Sequence, residues 1–144
     1  METLRITRTS SMAIVRELLE KAGKGAELTL FSYSITDVWM RQLINLKVEM
    51  AVGKVIMVLD RDVIIRHREK LNQLQFVADE VYLTDTHAKV YLAKNNDYTI
   101  AAVTSANATN NLRHECFFIT DRREFTGQIQ DDIRGIVGLS YRII

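Results

Sequence analysis

The chain has no proline, only one cysteine and six glycines among its 144 residues. The single cysteine, Cys116, cannot form an intramolecular disulfide, which favours a reducing compartment. Because proline is absent, glycines and a few clusters of asparagine and aspartate have to mark the turns. The hydrophobic fraction of 47% and the charged fraction of 26% are typical of a globular protein. We therefore expect residues 1–144 to form one domain with a substantial core.

Long apolar segments are absent too. No run approaches the roughly 20 residues that a membrane-spanning helix needs, and the first residues lack the apolar core of a signal peptide. No amphipathic basic helix with exposed aromatic residues suggests a membrane-docking surface. The formal net charge is only +1, so any attraction for phosphate has to be local. These absences predict a cytoplasmic protein that has no membrane partner.

What the chain does contain is an alternation of helical and extended patterns. The predicted elements are, in order, a helix from Ser10 or Ser11 to Gly23 or Gly25, a strand over 27–35, a helix from Asp37 to Gly53, a strand over 54–59, a helix over 63–74, strands over 79–83, at His87, over 98–103 and over 116–119, and a final helix marked by Phe125, Ile129, Ile133 and Ile136. The first half favours parallel crossover units, whereas the later strands are too close together for helices between them. The predicted fold class is α/β, with a mixed β-sheet flanked by helices on both faces. Trp39, Cys116 and Phe118 are predicted to lie in the core.

The end of the chain, residues 139–144, stays apolar to the last residue. Three explanations remain open from the sequence. The tail packs as a strand, it packs against a partner, or the chain has been cut from something longer.

The most informative residues lie at strand ends in the second half of the chain. His87 and Lys89 are two residues apart and, on a strand, share one face. Ser105 and Asn107 are likewise two apart, directly after the next strand, and Glu115 begins the run that follows. A candidate nucleophile, a cation, two hydrogen-bond donors and a carboxylate can therefore converge at one end of the sheet. This set suits holding a phosphate and attacking its phosphorus.

These residues resemble the motif of the phospholipase D-like superfamily, in which His-x-Lys is followed by an aspartate, by Gly-Ser-x-Asn and by an acidic residue. The matching positions are His87, Lys89, Asp97, Ser105, Asn107 and Glu115. Two positions depart from the pattern. Seven residues instead of four precede Asp97, and we interpret the extra Lys94-Asn95-Asn96 as a longer hairpin turn. Thr104 stands where glycine is usual. Asp97 is expected to stabilise a loop rather than to react.

The resemblance implies the fold described above and a role for each matching residue. His87 would attack phosphorus in line and form a phosphohistidine, which water then resolves. Lys89 and Asn107 would hold the non-bridging oxygens, and Ser105 would add a hydroxyl donor. Glu115 would accept a hydrogen bond from the far nitrogen of the His87 ring.

This chemistry requires a second imidazole, which protonates the leaving oxygen and later activates the water. The chain has one copy of the motif, and its other histidines, His67 and His114, stand in no matching context. This predicts a two-fold homodimer in which a His87 from each subunit faces its twin, as the superfamily's single-motif members imply. Two coupled imidazoles titrate in separate steps, which predicts a bell-shaped pH dependence. No metal or other cofactor is predicted, because Lys89 supplies the positive charge and no residues have metal-ligand spacing.

Other basic residues are candidates for substrate contacts. Arg113 and His114 lie closest to the predicted site in sequence. The densest basic stretch comprises Arg61, Arg66, His67, Arg68 and Lys70. Arg66 and Lys70 would share a helix face and could contact a phosphate backbone. A solvated face with an Arg66–Glu69 pair is the simpler interpretation.

The resemblance indicates the chemistry without the substrate. Single-motif members of the superfamily are typically nucleases, which favours a metal-independent phosphodiesterase that cleaves nucleic acid. Two alternatives remain open. The altered spacing and Thr104 could mark a catalytically inactive module that binds phosphate or nucleic acid, or the chain could be a lipid phosphodiesterase.

Overall fold

One eight-stranded mixed sheet runs through the protein, whose computed structural model describes all residues from Met1 to Ile144. The strands are β1 (Glu2–Thr9), β2 (Ala26–Ser32), β3 (Val52–Asp60), β4 (Glu80–Thr84), β5 (Val90–Asn95), β6 (Tyr98–Thr104), β7 (Arg113–Thr120) and β8 (Tyr141–Arg142), and the helices are α1 (Ser11–Ala22), α2 (Asp37–Val48), α3 (Asp62–Arg66), α4 (Lys70–Val77) and α5 (Arg123–Leu139). Their order across the sheet is β1-β7-β6-β5-β2-β3-β4-β8. Strands β2, β3 and β4 are parallel and every other pair is antiparallel. The predicted mixed α/β sheet is confirmed.

Helices α1 and α2 cover one face of the sheet, and their packing follows from the spacing of their apolar residues. Ser10 caps α1 by accepting a hydrogen bond from the backbone N–H of Ala13 at 3.3 Å, and α1 ends at Gly23, whose φ of 94° favours glycine. The fully buried Trp39 of α2 donates its indole N–H to Ser11 of α1 at 2.9 Å. The two helices are thus joined by a hydrogen bond inside the core.

Helix α5 lies over the other face, across residues of β2, β3 and β5. Only one of its side chains, Thr126, is buried. The predicted arrangement of helices on both faces is therefore present, with the larger core on the side of α1 and α2. None of the five helices combines the length and the apolar character needed to cross a bilayer.

Two predicted helix boundaries are wrong. Helix α2 is capped by Thr36 rather than Asp37 and ends at Val48, well before Gly53. Gly53 instead lies in β3, where a Cβ atom would come within 2.7 Å of the Gly25 carbonyl oxygen. This close approach of two backbones, not the end of a helix, requires the glycine.

The helix predicted over 63–74 is divided into α3 and α4. At His67 the backbone leaves the helical region, with φ −140° and ψ 67°, and a new helix begins at Lys70. The apolar spacing continues across this break, which is why the pattern predicts one helix.

The sequence pattern predicted no strand before the first helix, whereas Glu2–Thr9 form β1 beside β7. The remaining differences concern the last strands. Lys94 and Asn95 continue β5 and pair with Thr99 and Tyr98, so two of the three extra residues lengthen the strand, and only Asn96 lies in the turn. Cys116 is exposed and Phe118 is only half-buried, so of the three predicted core residues Trp39 alone is fully buried. The apolar tail forms β8 on the edge of β4, which agrees with the first of its three explanations.

Candidate functional site

The predicted site residues gather at the edge of the sheet where β2, β3 and β6 end and β5 begins. His87 and Lys89 do not lie on a strand, as we predicted, but in the extended segment just before β5. The buried Asp60 carboxylate at the end of β3 holds this segment by accepting a hydrogen bond from the backbone N–H of Thr86 at 2.9 Å. The same carboxylate accepts the N–H of Asp62 at 3.0 Å. A charged acceptor therefore joins the end of β3 to the His87 segment.

The exposed His87 ring stacks on Tyr33, which follows β2. The ring centroids are 4.4 Å apart and the ring planes differ by 22°. The Tyr33 hydroxyl donates a long hydrogen bond of 3.4 Å to Asp62. Stacking covers one face of the imidazole but leaves the nitrogens, whose lone pair and N–H lie in the ring plane, free to react.

Lys89 is half-buried and lies beside His87. Its ammonium donates to the His87 carbonyl oxygen at 2.9 Å, and its own carbonyl accepts the N–H of Thr104 at 3.0 Å. This backbone bond brings the segment before β5 next to the end of β6. An ammonium group has three donors, so Lys89 retains donors for an anion.

Thr104 is accommodated because its side chain points into the fold. The hydroxyl donates to the Cys116 carbonyl at 2.8 Å and accepts the N–H of Ala106 at 3.1 Å. The residue has no positive φ, so a β-branched side chain fits here without backbone strain.

Ser105 and Glu115 form a pair on the exposed side of the same loop. The Ser105 hydroxyl donates to the Glu115 carboxylate and accepts the N–H of Cys116 at 3.1 Å. The predicted hydrogen bond from His87 to Glu115 is not formed within the chain, where the Glu115 carboxylate accepts the Ser105 hydroxyl through one of its two oxygens. A pair of Glu115 with Arg113 is not formed either.

The Asn107 side chain joins the loop after β6 to the end of β2. Its amide oxygen accepts the N–H of Tyr33 at 3.0 Å and the Ser32 hydroxyl at 3.2 Å. The predicted contact with a phosphate oxygen is therefore left to the NH₂ group of the amide. Asn107 also fixes the backbone of the residue on which His87 stacks.

The Tyr91 side chain supports the loop after β6 from the interior of the protein. It is fully buried, and its hydroxyl donates to the Ala106 carbonyl at 2.9 Å. Burial raises the pKa of Tyr91, so the hydroxyl remains a donor at any working pH.

Of the other predicted residues, Asp97 lies apart from this cluster, whereas Arg113 and His114 directly precede Glu115 in the chain. Asp97 is in the tight turn after β5, at the opposite end of the β5–β6 hairpin, about 20 Å of strand away. Arg113 and His114 are exposed at the start of β7, where they pair in register with Thr9 and Arg8 of β1.

Sequence reasoning missed Tyr33, Asp60 and Ser32. Each lies at or just after the carboxyl end of β2 or β3. Polar residues after buried parallel strands are a usable indication of a site, because ligands commonly bind at the carboxyl ends of such strands.

No protein-family model and no curated protein matches the chain. Among solved structures, it is similar to NucT from Helicobacter pylori, with a TM-score of 0.75, 14% identity and 99% of both chains covered. It is also similar to Nuc from Salmonella typhimurium, a phospholipase D family member, with a TM-score of 0.69, 14% identity and again 99% of both chains covered. A polyphosphate kinase from Porphyromonas gingivalis matches 96% of this chain over 26% of its own length, with 15% identity and a TM-score of 0.68. The chain therefore has the phospholipase D-like fold that its motif predicts.

Proposed function

We propose that the protein is a metal-independent phosphodiesterase that cleaves nucleic acid through a phosphohistidine at a homodimer interface. The observation that carries the proposal is the grouping of His87, Lys89, Ser105, Asn107 and Glu115 at one edge of the sheet, joined by hydrogen bonds and by Tyr33. The motif residues are thus neighbours in a fold of the matching kind, which supports the resemblance at a second level.

In the first step a neutral imidazole nitrogen of His87 attacks phosphorus. A P–N bond forms, the P–O bond to the leaving group breaks, and the partner's His87, which is protonated, gives its proton to the leaving oxygen. In the second step water forms a new P–O bond, the P–N bond breaks, and the partner's His87 takes a proton from the water. Lys89 and the Asn107 NH₂ group stabilise the charge on the non-bridging oxygens in both steps.

An apolar surface beside the site supports the pairing of two subunits. Leu4 and Ile6 of β1 are 77% and 79% exposed, and Val103 is 45% exposed. Leu4 and Val103 pair in register with Phe118 of β7, and Ile6 pairs with Cys116. The backbone N–H of Cys116 donates to the Ser105 hydroxyl. A continuous apolar surface of this kind on a globular domain is typical of a protein–protein interface.

The proposal is tested by incubating the full chain with an oligonucleotide in the presence of a chelator. We expect cleavage, and mass spectrometry of the acid-sensitive intermediate should place a phosphoryl adduct on His87. In His87→Ala, adduct and cleavage should both disappear while the melting temperature stays the same. Activity abolished by the chelator would contradict a metal-independent reaction.

Light scattering tests the dimer in the same preparation. Ile6→Glu should yield monomers with little activity, whereas Phe76→Glu, at a site 78% exposed on α4, serves as the matched control and should remain dimeric and active. A fully active monomer would overturn the shared site. Oligonucleotide binding without any adduct would favour the inactive binding module, and hydrolysis of a short-chain phosphatidylcholine alone would favour a lipid phosphodiesterase.

A further inference from the structure

The break between α3 and α4 creates a basic corner, defined by Arg66, Arg68 and Lys70, next to the candidate site. Arg66 and Lys70 line a cavity of about 190 Å³ together with Tyr33. Tyr33 is the residue that stacks on His87. The basic stretch is therefore not an isolated helix face. It continues the surface that begins at the candidate nucleophile.

The cationic side chains of this corner make few hydrogen bonds and ion pairs within the protein. Arg66 contacts Asp62 at 3.4 Å with one guanidinium nitrogen, and its side chain is 67% exposed. The predicted Arg66–Glu69 pair is not formed, and Glu69 contacts His67. Lys70 donates to the Ile35 carbonyl, and Arg68 has no acidic partner. A guanidinium has five N–H donors and an ammonium three, so most of these donors remain available to a ligand.

The size of the cavity restricts that ligand. Pockets for small molecules usually measure about 300–1,000 Å³, whereas this one is smaller and opens to solvent. It can hold a phosphate group with part of a sugar, while the rest of the ligand extends over the surface. Arginine in particular binds phosphate oxygens through paired N–H groups.

We propose that the basic corner binds the backbone phosphate next to the scissile one, so that the substrate is a polynucleotide strand that passes from His87 over Tyr33 to Arg66 and Lys70. The inference rests on the proposed function and adds to it a second phosphate-binding subsite and the direction in which the strand runs. A small phosphodiester fills only the His87 site, whereas a strand also engages the corner. Cleavage should consequently become more efficient as the strand lengthens.

The test compares Arg66→Ala with wild type on two substrates, a single-stranded oligonucleotide and the small diester bis(4-nitrophenyl) phosphate. Arg134→Ala is the matched control, because Arg134 is also an exposed helical arginine, 71% accessible, whose acidic partner Asp131 lies one turn earlier. Arg66→Ala should lower kcat/KM for the oligonucleotide about tenfold through KM and leave the small diester unchanged. The slope of log kcat/KM against log salt should fall by about 0.7 for a single strand.

Arg66→Lys should recover part of the loss, and Arg134→Ala should behave as wild type on both substrates. An equal loss on both substrates would show that Arg66 acts on the site through Asp62 and Tyr33, and would overturn the inference. So would no loss on either. If wild type cleaves neither substrate, the proposed function fails, and the affinity for the oligonucleotide, measured by fluorescence anisotropy, still decides whether Arg66 contacts the strand.

Discussion

The two edges of the parallel part of the sheet differ in whether their central charged side chains form ion pairs. Where β3 and β4 begin, charges are matched within the protein: Lys54 and Arg142 contact Glu80 at 2.6 and 3.5 Å. The hydrogen bond from Lys54, with a second from the Tyr82 hydroxyl, holds the pKa of Glu80 below its usual range. Glu80 likewise raises the pKa of Lys54. These groups stabilise each other and have few free hydrogen-bond donors or acceptors for a ligand.

Where β2 and β3 end, the central charges have no such partners. Lys89 donates only to a carbonyl oxygen, and no ion pair involves His87 or Lys89. Ion pairs at this edge, Arg61–Asp85 and Arg66–Asp62, involve exposed side chains around the site and not His87 or Lys89. A cation without an ion-pair partner is available to an incoming anion.

The largest change in activity is expected from Lys89→Ala, which tests the difference between the two edges most directly. Loss of a cation that stabilises transition-state charge should lower kcat by about 10²–10³-fold, with little change in the melting temperature. Lys54→Ala is the matched control at the other edge, where we expect a small loss of stability and no change in kcat. A Lys89→Ala variant that keeps full kcat but unfolds more easily would reverse the two roles.

Asp60→Asn should produce the next largest effect, because Asp60 is a buried acceptor that serves the site. An amide can accept only one of the two N–H groups, of Thr86 and Asp62, that the carboxylate binds now. We expect the free energy of unfolding to fall by about 1–3 kcal/mol and kcat to fall with it, since the His87 segment loses its anchor.

Urea unfolding and steady-state kinetics measure both consequences of Asp60→Asn. The control is Asp85→Asn, at an exposed carboxylate that pairs with Arg61 at 2.7 Å, where a stability change below about 1 kcal/mol is expected. Equal effects of the two substitutions would argue against a positioning role for Asp60.

The smallest expected effect is on stability, and it concerns the ion pairs of Glu80 and their dependence on pH. The pKa of Glu80 is lower in the folded than in the unfolded chain, so its contribution is complete above the unfolded value of about 4.3 and is lost as the pH falls below it. Glu80→Gln should therefore destabilise the protein at pH 7, by less than about 1 kcal/mol, and to a smaller extent in acid.

Urea unfolding of wild type and Glu80→Gln at neutral and acidic pH checks this prediction. Glu20→Gln, on the exposed side of α1 and without an ion pair, is the control and should change stability at neither pH. A difference between wild type and Glu80→Gln that is the same at both pH values would mean that shape, not charge, makes Glu80 stabilising.

Local spacing was sufficient to predict most elements from α1 onward and the part of the site at the ends of neighbouring strands, but it did not reveal β1 or the division of the helix over 63–74. His87, Lys89 and Ser105 come together because β5 and β6 form a hairpin, and a hairpin can be recognised from a short sequence. The contact of Asp60 with Thr86 spans 26 residues and depends on which strands pair. No local pattern reveals such a partner.

Backbone detail was equally hard to predict. The break at His67 leaves the apolar period from Val63 to Leu74 intact, so it could be found only from the tertiary fold. The His87 segment lies outside β5, although its residues would suit a strand, and its backbone is bound by Asp60 at Thr86. In both places the backbone departs from the preference of the local sequence.

The order of strands also limits how copies of this chain can assemble. An unpaired sheet edge invites continuous backbone pairing and, from there, filaments. One border here is β1, which carries the exposed Arg5 and Arg8, and the other is β8, which is only two residues long. Both borders resist stacking strand upon strand, so polymerisation through the backbone is disfavoured. Self-association is left to side chains, whose complementary surfaces can close after two copies and stop there.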